Sequence, residues 1–201
     1  PRDAAFRLPV QFVNRPRTPE HPDFRGFSGR IASGVVRVGD DVVVNPIGHK
    51  STVTGIEVLG EPTELAFAPQ SITLMLSDDI DVDRGDVISS TASTPTTTRE
   101  ITATVCVLAD APISAGQRVL ARFGPKTVKA IVTSVVDRLD LNSLAHEPHT
   151  DSLQLNDVGT VTIRLAGEAA VDNYDELRTT GAFILVDDQD GSTLAGGMTR
   201  C

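Results

Sequence analysis

Glycines that interrupt short runs of valine and isoleucine constrain the fold of this chain more than any other sequence feature. Four of these glycines lie within residues 24–46, FRGFSGRIASGVVRVGDDVVVNP: Gly26, Gly29, Gly34 and Gly39. Glycine adopts positive φ angles without steric strain, so strands of about five residues can fold back on each other through tight turns. Residues 36–44 fit a strand, a Gly-Asp turn and a second strand. The pattern is typical of a small β-barrel.

Alternation between apolar and polar side chains predicts further strands along the chain. In residues 5–13, the apolar residues expected on one face are Phe6, Leu8, Val10 and Phe12. Pro9 has no N–H to donate, so this strand is expected at a sheet edge or a bulge. Other segments predicted as strands alternate in the same way or form a continuous apolar run: 51–58, 71–76, 86–88, 101–108, 118–123, 160–165, 182–186 and 192–195.

One segment, residues 126–147, carries two conflicting signals. Its apolar residues fall at the i, i+3, i+4, i+7 spacing of an amphipathic helix: Val128, Ile131, Val132, Val135, Val136 and Leu139. However, β-branched residues make up more than half of residues 127–137, which lowers helix propensity and favours a strand. We interpret the segment as a strand. Because no other segment has a helical pattern over three turns, the predicted fold class is all-β.

A polar stretch divides the chain near its middle. Residues 89–98, SSTASTPTTT, are too polar to be packed in a core and are typical of a linker. We predict a first domain over residues 1–92, a linker over 93–98 and a second domain over 99–201. Domains of about 100 residues bury a workable core. The predicted architecture is therefore two consecutive, mostly antiparallel, closed β-barrels.

Composition and charge exclude several functional classes. The chain is 40% hydrophobic, but no apolar run approaches the roughly 18 residues of a membrane span, and no leader pattern opens it. The net charge is −9, and both halves are acidic, so nucleic-acid binding is not expected. The two cysteines, Cys106 and Cys201, imply no disulfide framework and a cytoplasmic location. Cys106 lies inside a predicted strand and is interpreted as a buried small hydrophobe.

No catalytic motif occurs in the sequence. A P-loop, a nucleophile elbow and a dinucleotide-binding glycine motif are all absent, and Gly48–Ser51 matches only the tail of a P-loop. His146–Asp151, HEPHTD, could bring two imidazoles and a carboxylate to one cation. A solvated loop is the favoured interpretation, because Pro148 prevents the helix that would aim both rings at one ion. We therefore predict no catalytic and no cofactor-binding residue in this chain.

An aspartate-rich segment, Asp78–Asp86 (DDIDVDRGD), offers a second possible cation site. Started at Asp79, it fails the EF-hand pattern because Arg84 takes the place of the obligatory glycine. The same letters fit a strand in which Ile80 and Val82 point inward and the aspartates lie in water. We favour the strand and predict no metal site.

Arginines are concentrated near the start of the chain. Residues 1–46 contain seven arginines against five acidic residues, and the central group is Arg15, Arg17, Arg25 and Arg30. Such a group is either a solvated rim or a patch that meets a partner domain or a nucleotide-bound region. The candidate interface residues are Arg15, Arg25 and Arg30.

Two motifs near the start of the chain carry a family resemblance. Residues 6–16, FRLPVQFVNRP, and 23–29, DFRGFSG, resemble the large, GTP-hydrolysing subunit of bacterial sulfate adenylyltransferase, whereas elongation factors share only the glycine spacing of 34–40. One departure is Ala-Pro-Gln at 68–70, where the superfamily usually has Ala-Gly-Gln or Pro-Gly-Asp. The resemblance covers nearly the whole chain, and its other motifs are 140–144 (DLNSL), 146–148 (HEP), 155–159 (LNDVG), 173–176 (NYDE), 180–185 (TGAFIL) and 193–198 (TLAGGM).

The resemblance implies barrels of the translation-factor domain II and domain III type. The GTP-binding domain of the family is expected before Pro1, so GTP and Mg are expected on that domain and no cofactor on this chain. The family makes adenylyl sulfate from ATP and sulfate on a separate small subunit, driven by GTP hydrolysis, in sulfate assimilation and cysteine biosynthesis. Implied partners are the GTPase domain, the small subunit and, in some bacteria, a fused adenylylsulfate kinase domain. The barrels are expected to transmit motion and to be inactive alone.

Two other functions remain open from the residues. The chain could be a fragment of an elongation-factor-like GTPase whose second barrel helps to hold an aminoacyl-tRNA end. The acidic balance and the Asp-Phe-Arg-Gly-Phe insertion argue against that function. It could also be an interaction module unrelated to either enzyme.

Overall fold

Strands form almost all of the regular structure of this chain. A computed structural model describes residues 3–15, 25–148 and 150–201, and these residues form nineteen strands and one four-residue helix. The chain divides into two compact units, Pro1–Pro95 and Thr96–Cys201. The all-β fold class predicted from the sequence is confirmed.

A curled antiparallel sheet makes up most of the first unit. The described residues of this unit form ten strands: β1 (Arg7–Pro9), β2 (Phe12–Asn14), β3 (Gly26–Arg30), β4 (Val35–Arg37), β5 (Asp41–Asn45), β6 (His49–Val58), β7 (Glu61–Thr63), β8 (Leu65–Phe67), β9 (Ser71–Leu76) and β10 (Val87–Ser90). The main sheet has the order β1-β10-β5-β6-β9-β3-β2, and β7 pairs with β6. Strands β4 and β8 pair separately.

The two ends of this sheet are joined by the chain itself. Strands β1 and β2 are consecutive, yet β1 pairs with β10 and β2 pairs with β3. Between them, the N–H groups of Val10 and Gln11 donate to the carbonyl oxygens of Asp86 and Ser28, at 2.8 and 2.9 Å. Pro9, which has no N–H, is the last residue of β1, where the chain changes its partner. The sheet therefore closes through a bent segment.

The bend changes which side chains of this segment reach the core. Phe6, Leu8 and Val10 are buried as predicted, with exposures of 3% or less. Phe12 was predicted on the same face but is 62% exposed. That part of the prediction is wrong, because the change of partner after β1 interrupts the alternation of faces.

A close backbone contact requires glycine at one turn of the first unit. Gly34 has a φ of 78°, and a Cβ atom added to it would lie 2.6 Å from the backbone of Phe6. Any L side chain there would be strained by its φ angle and would also collide with the segment that enters β1. Gly34 belongs to the glycine pattern from which the barrel was predicted.

The second unit is a barrel whose strand ladder closes on itself. Its described residues form β11 (Thr96–Val107), β12 (Ile113–Ser114), β13 (Arg118–Phe123), β14 (Lys126–Leu139), β15 (His146–Pro148), β16 (Ser152–Leu153), β17 (Val158–Val171), the helix α1 (Arg178–Gly181), β18 (Ala182–Asp187) and β19 (Thr193–Arg200). The order β13-β18-β19-β11-β17-β14 is closed by pairing of β13 with β14. Strand β15 pairs with β14, and β12 pairs with β16.

Residues 126–139, for which the sequence signals conflicted, form the strand β14. Val128, Ala130 and Val132 are buried, whereas Lys129 and Ile131 are exposed. This period of two confirms the strand interpretation. The β-branched residues determine the outcome, since their branched side chains pack well on a pleated surface.

The polar segment between the two units is shorter than the sequence suggests. The sequence predicts a linker over residues 93–98, but Thr96–Thr98 already pair with Ala169–Val171 in the ladder of β11 and β17. Backbone N–H and C=O groups make these contacts, so polar side chains do not prevent them. β-branched threonine is also common in strands.

Candidate functional site

Strand pairing places two of the three candidate interface arginines next to each other. Asn14 and Gly26 are the last paired residues of β2 and β3. Arg15 and Arg25 are the next residues outward on the two strands, which lie about 4.8 Å apart. Arg15 is exposed and Arg25 is half-buried.

Aspartates from one loop hold both arginines. The Arg25 guanidinium forms an ion pair with the Asp79 carboxylate, and its Nη1 donates to the carbonyl oxygen of Ile80 at 2.7 Å. Arg15 Nη2 lies 3.5 Å from Asp81 Oδ1. We call these four residues, Arg15, Arg25, Asp79 and Asp81, the Arg/Asp surface. Its cations are locally balanced, so it presents fixed charges of both signs rather than a uniformly basic patch.

The loop that carries these aspartates has the predicted burial but not the predicted secondary structure. Ile80 and Val82 are 3% and 1% exposed, while Asp79, Asp81 and Asp83 are exposed. No strand is formed there, so the strand interpretation is wrong. The Ile80 N–H donates locally to Asp78 O at 3.0 Å and its carbonyl accepts from Arg25. The Arg25 side chain therefore binds a carbonyl group that would pair with a neighbouring strand in a sheet.

The third candidate, Arg30, lies elsewhere on the first unit. It ends β3, whereas Arg25 immediately precedes that strand, so five residues of extended chain, or about 17 Å, separate them. Arg30 Nε donates to Pro69 O at 3.1 Å. The structure thus brings Arg15 and Arg25 together and leaves Arg30 apart. Arg17 lies outside the described residues.

Side chains of the histidine segment pair across strands instead of converging on one point. His146 Nδ1 lies 3.2 Å from Asp137 Oδ2, and Arg138 Nη2 lies 2.6 Å from Glu147 Oε2. His149 lies outside the described residues. Within residues 3–15, 25–148 and 150–201, no group of three or more His, Cys, Asp or Glu side chains could hold a metal ion.

The carboxylate of Asp137 connects three strands of the second barrel. It faces His146 on β15 and accepts the N–H of Thr160 on β17 at 3.1 Å. Burial opposes its ionisation, but the hydrogen bonds from His146 and Thr160 prevail and lower the pKa of Asp137. His146, Asp137 and Thr160 thus stabilise the barrel wall.

The structure brings together a group of polar side chains around Asp78 in the first unit, and this group was not predicted from the sequence. Ser51 Oγ donates to Asp78 Oδ2 at 2.6 Å, and Ser77 Oγ donates to the same oxygen at 2.8 Å. A cleft of about 380 Å³ lies beside them and is lined by Asp41, Lys50, Ser51, Thr52, Asp78 and Thr91. Ser51 is the last residue of the P-loop-like tail, and it is bonded to a carboxylate rather than to a loop of N–H groups.

The remaining candidate, Cys106, is less buried than predicted. It lies half-buried on the outer side of β11, between the fully buried Val105 and Val107. Its register partners are Val158 and Gly196. No acid–base side chain faces it across the ladder.

Comparison with known proteins shows which folds and families this chain is similar to. A model of the GTP-eEF1A C-terminal domain-like family matches residues 100–200. A solved structure of Sup35 complexed with GDP superimposes with a TM-score of 0.86 and 18% sequence identity, covering 100% of this chain and 48% of that one. At this identity the likeness concerns the fold alone. Among the described residues, no helix is long and apolar enough to span a lipid bilayer.

Two curated relatives match nearly the whole chain at higher identity. "Bifunctional enzyme CysN/CysC" of Mycobacterium tuberculosis (strain CDC 1551 / Oshkosh) is 41% identical over 96% of this chain and 31% of its own length. "Sulfate adenylyltransferase subunit 1" of Methylorubrum populi is 42% identical over 99% of this chain and 41% of its own length. The chain thus spans less than half of either relative. Through residues 100–200 it belongs to the GTP-eEF1A C-terminal domain-like family, and nearly all of it is similar to sulfate adenylyltransferase subunit 1.

Proposed function

We propose that this chain is the non-catalytic barrel region of the GTPase subunit of a sulfate adenylyltransferase. In this role it couples GTP hydrolysis to the synthesis of adenylyl sulfate from ATP and sulfate. The observation that carries the proposal is the 42% identity to sulfate adenylyltransferase subunit 1 over 99% of the chain. The absence of a predicted catalytic residue is consistent with a coupling role.

The proposed mechanism is rigid-body movement of the two β-sheet units. In the second unit, strand pairing closes the ladder completely, and in the first the chain joins the two ends of the sheet. A closed sheet has no edge strand, so opening it costs the backbone hydrogen bonds between two neighbouring strands. A rearrangement in a GTPase domain would therefore shift a barrel as a body and change an interface with a partner.

The Arg/Asp surface is the proposed contact site on the first unit. Arg25 is fixed by an ion pair and a backbone hydrogen bond, so little side-chain entropy is lost when it binds. Arginine is also enriched at protein interfaces. The proposed partner at this surface is either the GTPase domain or the small subunit. Arg30 would belong to a separate contact.

The rest of the proposal concerns the whole protein. GTP and Mg would be bound by the GTPase domain, and a fused adenylylsulfate kinase domain is the expected counterpart of the bifunctional relative from M. tuberculosis. The assembly would act in the cytoplasm, as part of sulfate assimilation. The barrel region alone would form no adenylyl sulfate.

Charge reversal in the intact enzyme tests this function. Arg15→Glu and Arg25→Glu are introduced separately into the full-length subunit, which is assayed with its small subunit for GTP hydrolysis and adenylyl sulfate formation. We expect adenylyl sulfate formed per GTP to fall about fivefold, corresponding to about 1 kcal/mol of interface energy. Intrinsic GTP hydrolysis should not change.

The controls separate coupling from folding. Arg37→Glu makes the same charge change at an exposed residue of β4, which belongs to the separate β4–β8 sheet, and it should leave coupling intact. Arg15 has the longer ion pair, so Arg15→Glu should fold normally even if Arg25→Glu does not. Unchanged coupling in the folded Arg15 and Arg25 variants would reject this surface as the contact. Salt-dependent binding of the chain to aminoacyl-tRNA would instead support the elongation-factor alternative.

A further inference from the structure

The outer face of the second barrel carries a row of cations around one exposed isoleucine. Arg118 on β13 is the register partner of Ile131 on β14, and Ile131 is the partner of Arg164 on β17. Adjacent strands lie about 4.8 Å apart, so the two arginines are about 10 Å apart with Ile131 between them. Both arginines are exposed, and Ile131 is 42% exposed.

Two more cations extend this row along the strands. Lys129 and Arg122 are also exposed on β14 and β13, and their register partners are Leu120 and Thr127. We call Arg118, Arg122, Lys129, Ile131 and Arg164 the basic face. Residues 96–201 contain nine Lys and Arg against fourteen Asp and Glu, so four cations on one face of this acidic unit are a strong local excess.

Among the described residues, the side chains of the four cations of the basic face have no ion-pair partner. In the described residues, Arg118, Arg122, Lys129 and Arg164 form no ion pair and no side-chain hydrogen bond. Two carboxylates lie nearby. Glu100 is the register partner of Arg164, and Asp188 lines a cleft within the basic face. Neither forms a salt bridge with the four cations. This differs from the Arg/Asp surface, where loop aspartates hold both arginines.

A cleft lies within the basic face. Its volume is about 340 Å³, and it is lined by Arg118, Val119, Lys129, Ala130, Ile131, Arg164, Leu165, Ala166 and Asp188. Ile131 is the exposed aliphatic side chain in the middle of this lining, and cations stand on both sides of it. The buried aliphatic residues of the lining belong to the barrel core. An aliphatic side chain flanked by carboxylates complements such a site in both shape and charge.

The chemistry of the face favours a protein ligand over a nucleic acid. Single-stranded nucleic acids are held by aromatic side chains that stack on bases. Phe123 and Phe183, two of the three aromatic residues of this unit, are buried in the barrel and pack on each other with centroids 5.1 Å apart. Glu100 and Asp188 at the margin, together with the net charge of −9, would repel a continuous phosphate backbone, which carries a charge at every nucleotide, more strongly than a short segment with a few carboxylates.

We propose that the basic face binds an acidic protein segment that carries an aliphatic residue between its carboxylates. The aliphatic residue lies against Ile131 in the cleft. The flanking carboxylates pair with Arg118 and Arg164, and Lys129 and Arg122 extend the site. This binding site is distinct from the Arg/Asp surface and does not depend on the function proposed above.

A designed peptide tests the site on the full 201-residue chain. The probe is a fluorescein-labelled peptide with a leucine between two pairs of aspartates, and binding is followed by fluorescence anisotropy at low salt. We expect saturable binding with a Kd below about 1 mM. The double variant Arg118→Glu/Arg164→Glu should weaken it at least about tenfold.

Matched variants distinguish the site from general charge effects. Arg37→Glu/Lys50→Glu makes the same change in net charge at exposed residues of the first unit and should leave the Kd within about twofold. Replacing leucine by serine in the peptide should weaken binding to the wild-type chain but not to Ile131→Ser, as a double-mutant cycle requires.

Three results would overturn the proposal. The first is no saturable binding of the peptide. The second is equal loss of binding in the two double variants, which would show a general charge effect. The third is tighter binding of a short oligouridine RNA than of the peptide, lost in Arg118→Glu/Arg164→Glu, which would identify the face as a nucleic-acid site. All the substitutions lie at exposed residues, and unchanged circular dichroism would verify that the variants are folded.

Discussion

At the scale of single residues, the least expected feature is a buried arginine. Alternation in the first strand assigns Arg7 to the polar face, yet it is only 1% exposed. Its Nη1 donates to the carbonyl oxygens of Phe6 and Ser93, at 3.0 and 2.7 Å. A buried charge is tolerated only when it is hydrogen-bonded, and these bonds connect β1 to the segment that follows β10.

A glycine of the second barrel gives a sharp prediction. A Cβ atom at Gly159 would lie 2.4 Å from the backbone oxygen of Asp137 and 2.7 Å from Leu153 Cδ2. The backbone oxygen cannot move without separating β17 from β14. We expect Gly159→Ala to lower the free energy of unfolding by on the order of 2 kcal/mol, as overpacking does in cores. Chemical denaturation measures the change.

The same strand offers the control. Gly167 also lies in β17, but a Cβ atom there would meet nothing within 4 Å. Gly167→Ala should therefore change stability little, and it is expected to raise it slightly by restricting the unfolded chain. Equal effects of the two substitutions would contradict the contact with Asp137.

At the scale of elements, the first unit is held together at the end of β9 by a shared carboxylate. Asp78 follows Ser77, just beyond β9, and accepts hydrogen bonds from Ser51 on β6 and from Ser77. These bonds, the one from Ser51 first, lower the pKa of Asp78 below its ordinary value of 3.8. Folding therefore favours the ionised form.

The sign of this shift gives a pH prediction. A carboxyl whose pKa is lower in the folded state stabilises the fold above its unfolded pKa of 3.8, and the stabilisation is lost as the pH falls through the folded value. Asp78→Asn should thus be less stable than wild type at pH 7, with the gap closing below pH 3.8. Denaturant midpoints across this range measure the gap.

The strand β14 shows how one element can serve two purposes. Its inward residues Val128, Ala130 and Val132 fill the barrel core. Its outward residues Lys129 and Ile131 form part of the basic face. Because side chains alternate across a strand, changes at the outward residues alter the surface without opening a cavity in the core.

At the scale of the whole molecule, the two units differ in how they close. The second barrel closes by the pairing of β13 with β14, and its core cluster comes entirely from residues 101–195. The first unit closes at the bent segment between β1 and β2. The core of the first unit comes from residues 6–88. Each unit therefore has a core of its own.

Independent cores predict independent folding of the second unit. A fragment of residues 96–201 should give a strand-type circular dichroism spectrum and unfold in one cooperative transition. Its ladder needs no strand from residues 1–95 to close. A fragment that shows random-coil spectra, or that unfolds without a cooperative transition, would contradict this prediction.

Local sequence signals were sufficient to predict the all-β class and most of the strands. Alternation and β-branched residues act within a few positions, so residues 71–76, 101–108 and 118–123 could be assigned as strands without their partners, and the structure has strands at all three places. The β-branched residues also identified β14 as a strand, although its apolar residues have the spacing of a helix. The motifs that resemble sulfate adenylyltransferase subunits are also sequence properties, and the identity to the Methylorubrum relative agrees with them.

Contacts between distant residues were decided only by the tertiary structure. The pairing of Arg15 and Arg25 with the 79–81 loop depends on where that loop folds, since these residues are more than 50 positions apart. The row from Arg118 to Arg164 depends on the register of three strands, and a shift of one residue would send these side chains into the core. Register is fixed by packing of the whole barrel, which alternation within a single strand does not encode.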